Sequence, residues 1–406
     1  MTDVVIFSPT KSVISADELY ARIEALTYSG REPLNASIID FLDLLSKKFL
    51  RSPLARNNPQ ITALGFWLRK AATKKIRNNF LSRQPENTLL TPRGIAFHLP
   101  PANVDTLFVY SWALAFLAGN VNIVRLPAKP SEVAQYLIES IIEVLVDFGD
   151  DKRHIFCSYD YDNDINASIS RHSDLRMIWG GDDKVNMLSK LPLRPDGLSL
   201  GFPDRYSYSV ISGNAYSECD DRTQNILVEN FYNDLFWFDQ MGCGSPRVLY
   251  WLGNDDERIT DFSKKLSAKA LSKGYEPDTS VVINKFTFMN DMLAKNIALS
   301  GTAYSNALHI LDANVGIDLR NIAPGGGMLT VVKISSLDEI GKMAQRKDQT
   351  VTHFGFSRNE LISFAGSIVG RGGYRIVPIG QALNFGPIWD GLDLLTDMTR
   401  KIVVID

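Results

Sequence analysis

The 406-residue sequence predicts an α/β fold of largely parallel strands joined by crossover helices, the doubly wound class. Three observations predict it. Between Arg93 and Ser212, short strand-like apolar runs alternate with stretches of helical period. A second alternating block follows Cys243 and continues nearly to the end of the chain. No internal repeat, low-complexity tract or linker separates the blocks, so they read as two intimate lobes.

Residues 1 to about 90 are mostly helical in pattern. Ser15 with Asp17 and Glu18 makes a cap and an acidic first turn before Leu19, Ile23 and Leu26. Ile38, Ile39, Leu42, Leu45 and Phe49 recur at helical spacing. Residues 64–80 repeat the pattern, with Arg69, Lys70, Lys74, Lys75 and Arg77 on the other face. That basic row is either a solvated face or a phosphate-binding one.

The alternation then begins. Residues 94–98 read as a strand, Pro100-Pro101-Ala102-Asn103 as a turn, 105–118 as a buried helix and 121–126 as a strand. Ser131 caps a helix to about Phe148. Strands follow at 154–159 and 176–179. Gly180-Gly181-Asp182-Asp183 opens a helix, and Tyr206–Ser212 is again a strand. In the second block, helices are expected at 221–238, 259–273, 289–300, 337–346, 361–369 and 389–399. Strands are expected at 248–252, 281–283, Met328–Ile334 and 351–356, with 374–378 extended. Residues 401–406 form a terminal strand that needs a partner, from its own chain or from another subunit.

Composition narrows the function classes. A net charge of −3 gives no global basic field for nucleic acid. Three cysteines, an odd number, argue against a disulfide framework and for the reduced cytoplasm. The N-terminus lacks the basic region and apolar core of a signal peptide. Residues 106–124 are uncharged and nearly long enough to span a membrane, but Gly119-Asn120-Val121-Asn122 interrupts them, so no span is expected. Five scattered histidines, without CxxC or HExxH spacing, point away from a metal site.

The chemistry centres on Gln240-Met241-Gly242-Cys243-Gly244-Ser245-Pro246, between an amphipathic helix and a β-rich run. The two glycines would let a reactant approach the Cys243 sulfur, which makes Cys243 the candidate nucleophile. A helix N-terminus or a cationic nicotinamide would supply its activating field. Cys157 and Cys219 read as small buried residues. Asn103 is either a helix cap or an oxyanion donor, and removing such a donor costs about 2.7–4 kcal/mol. Gly180 and Gly181 suit a phosphate met by backbone amides. Arg125, at a strand end, either contacts a cofactor phosphate or ribose or makes a structural ion pair. Trp237, Phe238, Tyr250 and Trp251 line an acyl tunnel or pack the core.

Four segments stand in the order found in aldehyde dehydrogenases. They are Pro100-Pro101-Ala102-Asn103, Leu117-Ala118-Gly119-Asn120-Val121-Asn122-Ile123-Val124-Arg125-Leu126, Trp179-Gly180-Gly181-Asp182 and the Cys243 segment. With Val377-Pro378-Ile379-Gly380 and Trp389-Asp390-Gly391-Leu392-Asp393, the wording resembles the LuxC-type acyl-CoA reductases, from about residue 90 to the end. The resemblance implies an aldehyde dehydrogenase-like fold of two lobes, each with a largely parallel sheet wrapped by helices. It implies that 1–90 is the helical start of the cofactor lobe and 91–217 a Rossmann-like cofactor domain. Residues 218–380 are then the catalytic domain, and 381–406 a C-terminal helix and strand. It further implies that a thioester acylates Cys243, that Asn103 is the oxyanion asparagine, and that hydride from a nicotinamide cofactor yields an aldehyde. Pro101, Arg125, Trp179, Gly180 and Gly181 become the cofactor-binding candidates. Arginine at 125 favours NADPH, with NADH the alternative.

Two departures qualify this expectation. Hydrolytic relatives carry a general-base glutamate upstream of the cysteine, and residues 199–205 hold none. The glutamate that grips the nicotinamide ribose gives way to Pro324-Gly325-Gly326-Gly327. The leading expectation is therefore NAD(P)H-dependent reduction of acyl-CoA or a protein-bound acyl group, from a carrier or synthetase partner, by a homo-oligomer. An oxidising aldehyde dehydrogenase and a non-catalytic scaffold are the alternatives.

Overall fold

A computed structural model of the chain describes residues 3–26, 31–101, 104–320 and 324–405. Two compact units emerge, Met1–Pro203 with Phe385–Asp406, and Asp204–Asn384. Each holds a seven-stranded, mostly parallel sheet flanked by helices, the α/β class that the alternation predicts.

In the first unit the parallel strands stand in the order His154–Ser158, Val121–Arg125, Ile95–Leu99, Leu175–Trp179, Leu198–Phe202. In chain order this is 3-2-1-4-5. The winding therefore reverses between Ile95–Leu99 and Leu175–Trp179, and a crevice at the carboxyl ends of those two strands is where such folds bind ligands. The expected helical start is corrected. Val4–Ile6 and Ser12–Ile14 form an antiparallel pair that extends the sheet beyond His154–Ser158. Ser15 then caps Ala16–Glu24 with a capping box to Glu18.

The helix Leu107–Leu117 is buried at every residue, which is why it shows no amphipathic stripe. No helix among the described residues is long and apolar enough to cross a membrane. The pattern over 64–80 breaks into Pro59–Leu68 and Lys70–Leu81. Arg69 is extended at the break, and the Lys70 N–H donates to the Asp43 carboxylate at 2.9 Å instead of continuing a helix.

The second sheet runs Ala298–Ala303, His309–Ala313, Met328–Ile334, Pro246–Leu252, Tyr206–Ser212, Asp348–Phe354, Arg375–Pro378. Only its first pair is antiparallel. The expected strand at 281–283 lies inside the helix Thr279–Ala294. Its β-branched residues mislead, because Lys285, Met289 and Met292 bury at helical spacing and set the segment.

The expected helix at 389–399 is likewise wrong. Asp390 and Gly391 both take left-handed backbone, which closes a tight hairpin between Ile388–Trp389 and Leu392–Asp393. A single turn, Leu394–Asp397, follows. The terminal strand Thr399–Val403 pairs antiparallel with Thr88–Pro92 of its own chain.

Candidate active site

At the carboxyl edge of the first sheet the chain gathers Pro101, Arg125, Trp179, Gly180 and Gly181 around the winding reversal. Gly181 is the cap residue of the helix Asp182–Ser189 and offers no side chain to its first turn. The first-turn N–H groups are thus a potential phosphate cradle. Gly180 does not share that role through its own amide, which donates to the Phe202 carbonyl at 3.2 Å. Trp179 is committed to the core: its ring stacks on Phe202 at 3.8 Å, and its N–H donates to Ser111 Oγ at 3.1 Å. Only its backbone remains for a ligand.

Arg125 ends its strand with one guanidinium nitrogen on the Tyr159 carbonyl at 3.2 Å and the group 4.8 Å over the Tyr159 ring. Its buried Nε has no hydrogen-bond acceptor among the described residues. Among the described residues no ion pair of Arg125 is seen.

Lys184, which the sequence reading missed, reaches from Asp182–Ser189 across the reversal. It donates to the Pro100 carbonyl at 2.8 Å and approaches that of Leu99 at 3.5 Å. Burial and the charge of Arg125 push its amine down to about 8. Two cations beside an open helix N-terminus suit the phosphates of a dinucleotide. Asn103 lies outside the described residues.

In the second unit, Cys243 sits on the turn between the helix Asp221–Phe236 and the central strand Pro246–Leu252. Phe238, Asp239 and Gln240 all adopt left-handed backbone, at φ of 56°, 51° and 62°. Left-handed backbone costs roughly 1–2 kcal/mol per non-glycine residue, so the run must be held. Gln240, fully buried, holds it. Its amide donates to the carbonyls of Pro246 and Met328 at 2.8 and 2.9 Å and accepts from the Gly327 N–H at 3.0 Å. The Asp239 carbonyl accepts from Gly326 at 2.8 Å. Buried Lys285 in turn caps the carbonyls of Gly326, Asn306 and Ala307. The glycine run at 325–327 thus braces the cysteine turn.

Cys243 itself is half-buried. Its carbonyl accepts from Ser207 Oγ at 2.6 Å, and the same hydroxyl accepts from the Thr350 N–H at 3.2 Å. No disulfide joins the three cysteines. The expectation that Gly242 and Gly244 clear space for a reactant is corrected. A Cβ on Gly244 would collide with the Ala382 carbonyl, and one on Gly242 would come within 3.0 Å of Leu383.

A helix N-terminus in its own segment does not activate the sulfur either, since Cys243 follows a helix's C-terminal, negative end. Arg247, four residues on, is the nearby cation, and its charge and Cys243 attract. Cys157, fully buried, has its thiol pushed up to about 12, an inert position. Of the aromatic flank, Tyr250 and Trp251 are core residues, whereas Trp237 and Phe238 are half-buried.

The two-unit architecture is that of the aldehyde dehydrogenases. An aldehyde dehydrogenase from Brucella melitensis biovar abortus 2308 superposes with a TM-score of 0.67, covering 100% of this chain and 93% of that one at 12% identity. The acyl-CoA reductase (LuxC) family matches residues 70–401, and the chain belongs to that family. Similar proteins include a long-chain acyl-protein thioester reductase of Aliivibrio fischeri, 28% identical over 189 residues, 45% of this chain and 38% of the relative. One of the same name from Photorhabdus luminescens is 22% identical over 347 residues, 81% of this chain and 68% of the relative. The match thus spans less than half the length of the Aliivibrio protein.

Proposed function

We propose that the protein is an NAD(P)H-dependent acyl thioester reductase that makes an aldehyde through a Cys243 acyl-enzyme. The observation that carries this is the turn itself. A cysteine stands on a strained backbone braced from three directions, with the Arg247 cation nearby, in a chain of the acyl-CoA reductase family.

In the division by role, the first unit, 1–203 with 385–406, serves the cofactor, and the second, 204–384, serves the catalysis; the catalytic part thus begins before the expected boundary at 218, because Tyr206–Ser212 pairs with the strand that follows Cys243. The Cys243 thiolate attacks the donor's thioester carbonyl and expels the donor thiolate, leaving the acyl group on Cys243. A nicotinamide cofactor, when bound, would supply the hydride that reduces that acyl group, and Arg125, Lys184 and the first-turn amides of Asp182–Ser189 would hold its phosphates. The Cys243 thiolate then leaves as the aldehyde forms, ready for another cycle. Arg247 favours the thiolate at both steps. Asn103 is assigned the developing oxyanion. Arg125 and Lys184 are assigned the cofactor phosphates, with Arg125 favouring the 2′-phosphate of NADPH. The absence of glutamate over 199–205 leaves no general base there for water, which favours reduction over acid formation. The donor is acyl-CoA or, by likeness to relatives named acyl-protein thioester reductases, an acylated protein.

Wild type and Cys243→Ala are incubated with radiolabelled acyl-CoAs and an acylated carrier protein, and NADPH is then added. Label held by wild type alone and released as aldehyde on NADPH addition is the expected result. Label retained by Cys243→Ala removes Cys243 as nucleophile. No label from any donor favours a scaffold role, and aldehyde oxidation without thioester reduction favours the oxidative enzyme.

A further inference from the structure

The proposed chemistry makes no use of Asp234, yet this carboxylate is 1% exposed and lies in the last turn of the helix leading to Cys243. Both facts oppose a negative charge. Burial desolvates it, and the helix C-terminus repels it. Burial pushes the carboxyl up to about 7, against the pull of two backbone N–H groups and Arg375. Both carboxyl oxygens nevertheless accept from backbone N–H groups, which is the arrangement of a carboxylate held by specific partners.

Those partners form one loop. Asp234 Oδ2 accepts from the Gly380 N–H at 2.6 Å, and Oδ1 accepts from the Ala382 N–H at 2.9 Å. Arg375 grips the loop's carbonyls, donating to Gln381 at 2.6 Å and to Ala382 at 2.9 Å. Gly380 takes left-handed backbone, φ 96°, and packs so tightly that a Cβ would come within 2.8 Å of Asn230. The loop's other side abuts the nucleophile's turn. The Ala382 carbonyl occupies the space a side chain at 244 would need, and Leu383 Cδ2 presses on Gly242. A continuous chain of contacts thus runs from Asp234 through 380–383 to the two glycines that flank Cys243.

We propose that Asp234 is a positioning residue for Cys243. Its carboxylate clamps the 380–382 backbone, and that backbone is the wall that fixes the conformation of the cysteine turn. The inference rests on the reading of Cys243 as the acylated nucleophile. Asparagine cannot replace the carboxylate, because one acceptor oxygen becomes an N–H donor facing a backbone N–H.

The test uses the full chain with Asp234→Asn, and with Leu383→Ala as a second variant that disturbs the wall at a half-buried position without touching a buried charge. Carboxamidomethylation rates of Cys243 and Cys219 are read by peptide mass spectrometry, beside kcat and KM for thioester reduction and the thermal midpoint. The expected result is a tenfold or greater change in Cys243 labelling rate and a tenfold or greater fall in kcat. The KM for cofactor stays within twofold, and Cys219 labelling is unchanged. Leu383→Ala moves the same quantities in the same direction by a smaller factor. Unchanged Cys243 labelling and kcat in both variants overturn the proposal. So does a rise in Cys219 labelling that parallels the Cys243 change, which marks general loosening. If wild type takes up no acyl group while Cys243 alkylation still depends on Asp234, the proposed function fails and the positioning role stands.

Discussion

Gln240 shows how a single side chain holds a strained turn. Three successive left-handed residues cost roughly 1–2 kcal/mol each, and each hydrogen bond of the Gln240 amide returns about 1 kcal/mol net. The amide makes three, and the Asp239 carbonyl adds another, so the strain is offset by contacts that exist only in the folded unit. Arg125 carries a different residue-scale consequence. Its Nε has no acceptor among the described residues, and its strand ends at the proposed cofactor edge. Arg125→Ala should raise KM for NADPH about tenfold to a hundredfold, the loss expected for one charged hydrogen bond of about 1.5–3 kcal/mol. KM for NADH should stay within twofold. Steady-state kinetics with both cofactors checks this, and an equal loss for each would assign Arg125 a structural role.

Among elements, the three strands whose ends carry the cofactor candidates share a buried polar network with His154–Ser158 and the helix Leu107–Leu117. The Trp179 N–H donates to Ser111, and Ser111 Oγ lies 2.7 Å from His98 Nδ1. His98 Nε2 lies 3.0 Å from Asn122 Oδ1, and the Asn122 amide reaches the Asn120 carbonyl at 2.9 Å and His154 Nδ1 at 3.2 Å. Trp112 donates to the same His154 nitrogen at 3.2 Å. Because Asn122 Oδ1 only accepts, His98 Nε2 carries the proton and Nδ1 accepts from Ser111, so the network fits neutral histidines.

Burial pushes His98 down to about 4 and holds His154 well below its ordinary value. A histidine lowered on folding takes up its proton in the unfolded chain first. Stability is therefore fully present above about pH 6.5 and is lost as pH falls toward 4, by up to about 3 kcal/mol for His98 alone. Urea midpoints at pH 7 and pH 5 should show the loss in wild type. The pH dependence should weaken in His98→Gln, and an unchanged dependence would remove His98 as its source.

For the whole molecule, the ribbon formed by Thr88–Pro92 and Thr399–Val403 bears on assembly. Leu89 and Ile402 are directly paired across it, so both side chains leave the same face, and they are 60% and 53% exposed. Leu90 turns inward against the core. An exposed apolar pair on a two-stranded ribbon, itself marginal in water, is where the expected homo-oligomer would gain contact area. Light scattering should give a multiple of the 45.3 kDa chain mass, and Leu89→Asp with Ile402→Asp should return the monomer. A monomeric wild type would sink this assignment.

Local signals determined a good deal. The caps at Ser15, Asn35 and Ser131 stand where hydroxyl and amide side chains meet the start of an apolar period. The continuous apolar run became the fully buried helix Leu107–Leu117, and Met328–Ile334 and Tyr206–Ser212 are strands as expected. The cysteine between two glycines was visible as a singular turn, although the purpose of the glycines was not. Their neighbours, Ala382 and Leu383, lie more than a hundred residues away.

Only the tertiary structure decided the rest. Lys184 meets Pro100 across 84 residues, Gln240 meets Gly327 across 87, and Asp234 meets Gly380 across 146. In sequence these are an ordinary lysine, glutamine and aspartate on helical or turn segments. Burial and backbone partners brought from distant loops give them their work, because desolvation and hydrogen-bond satisfaction depend on what surrounds a side chain, whereas periodicity and capping depend on what adjoins it.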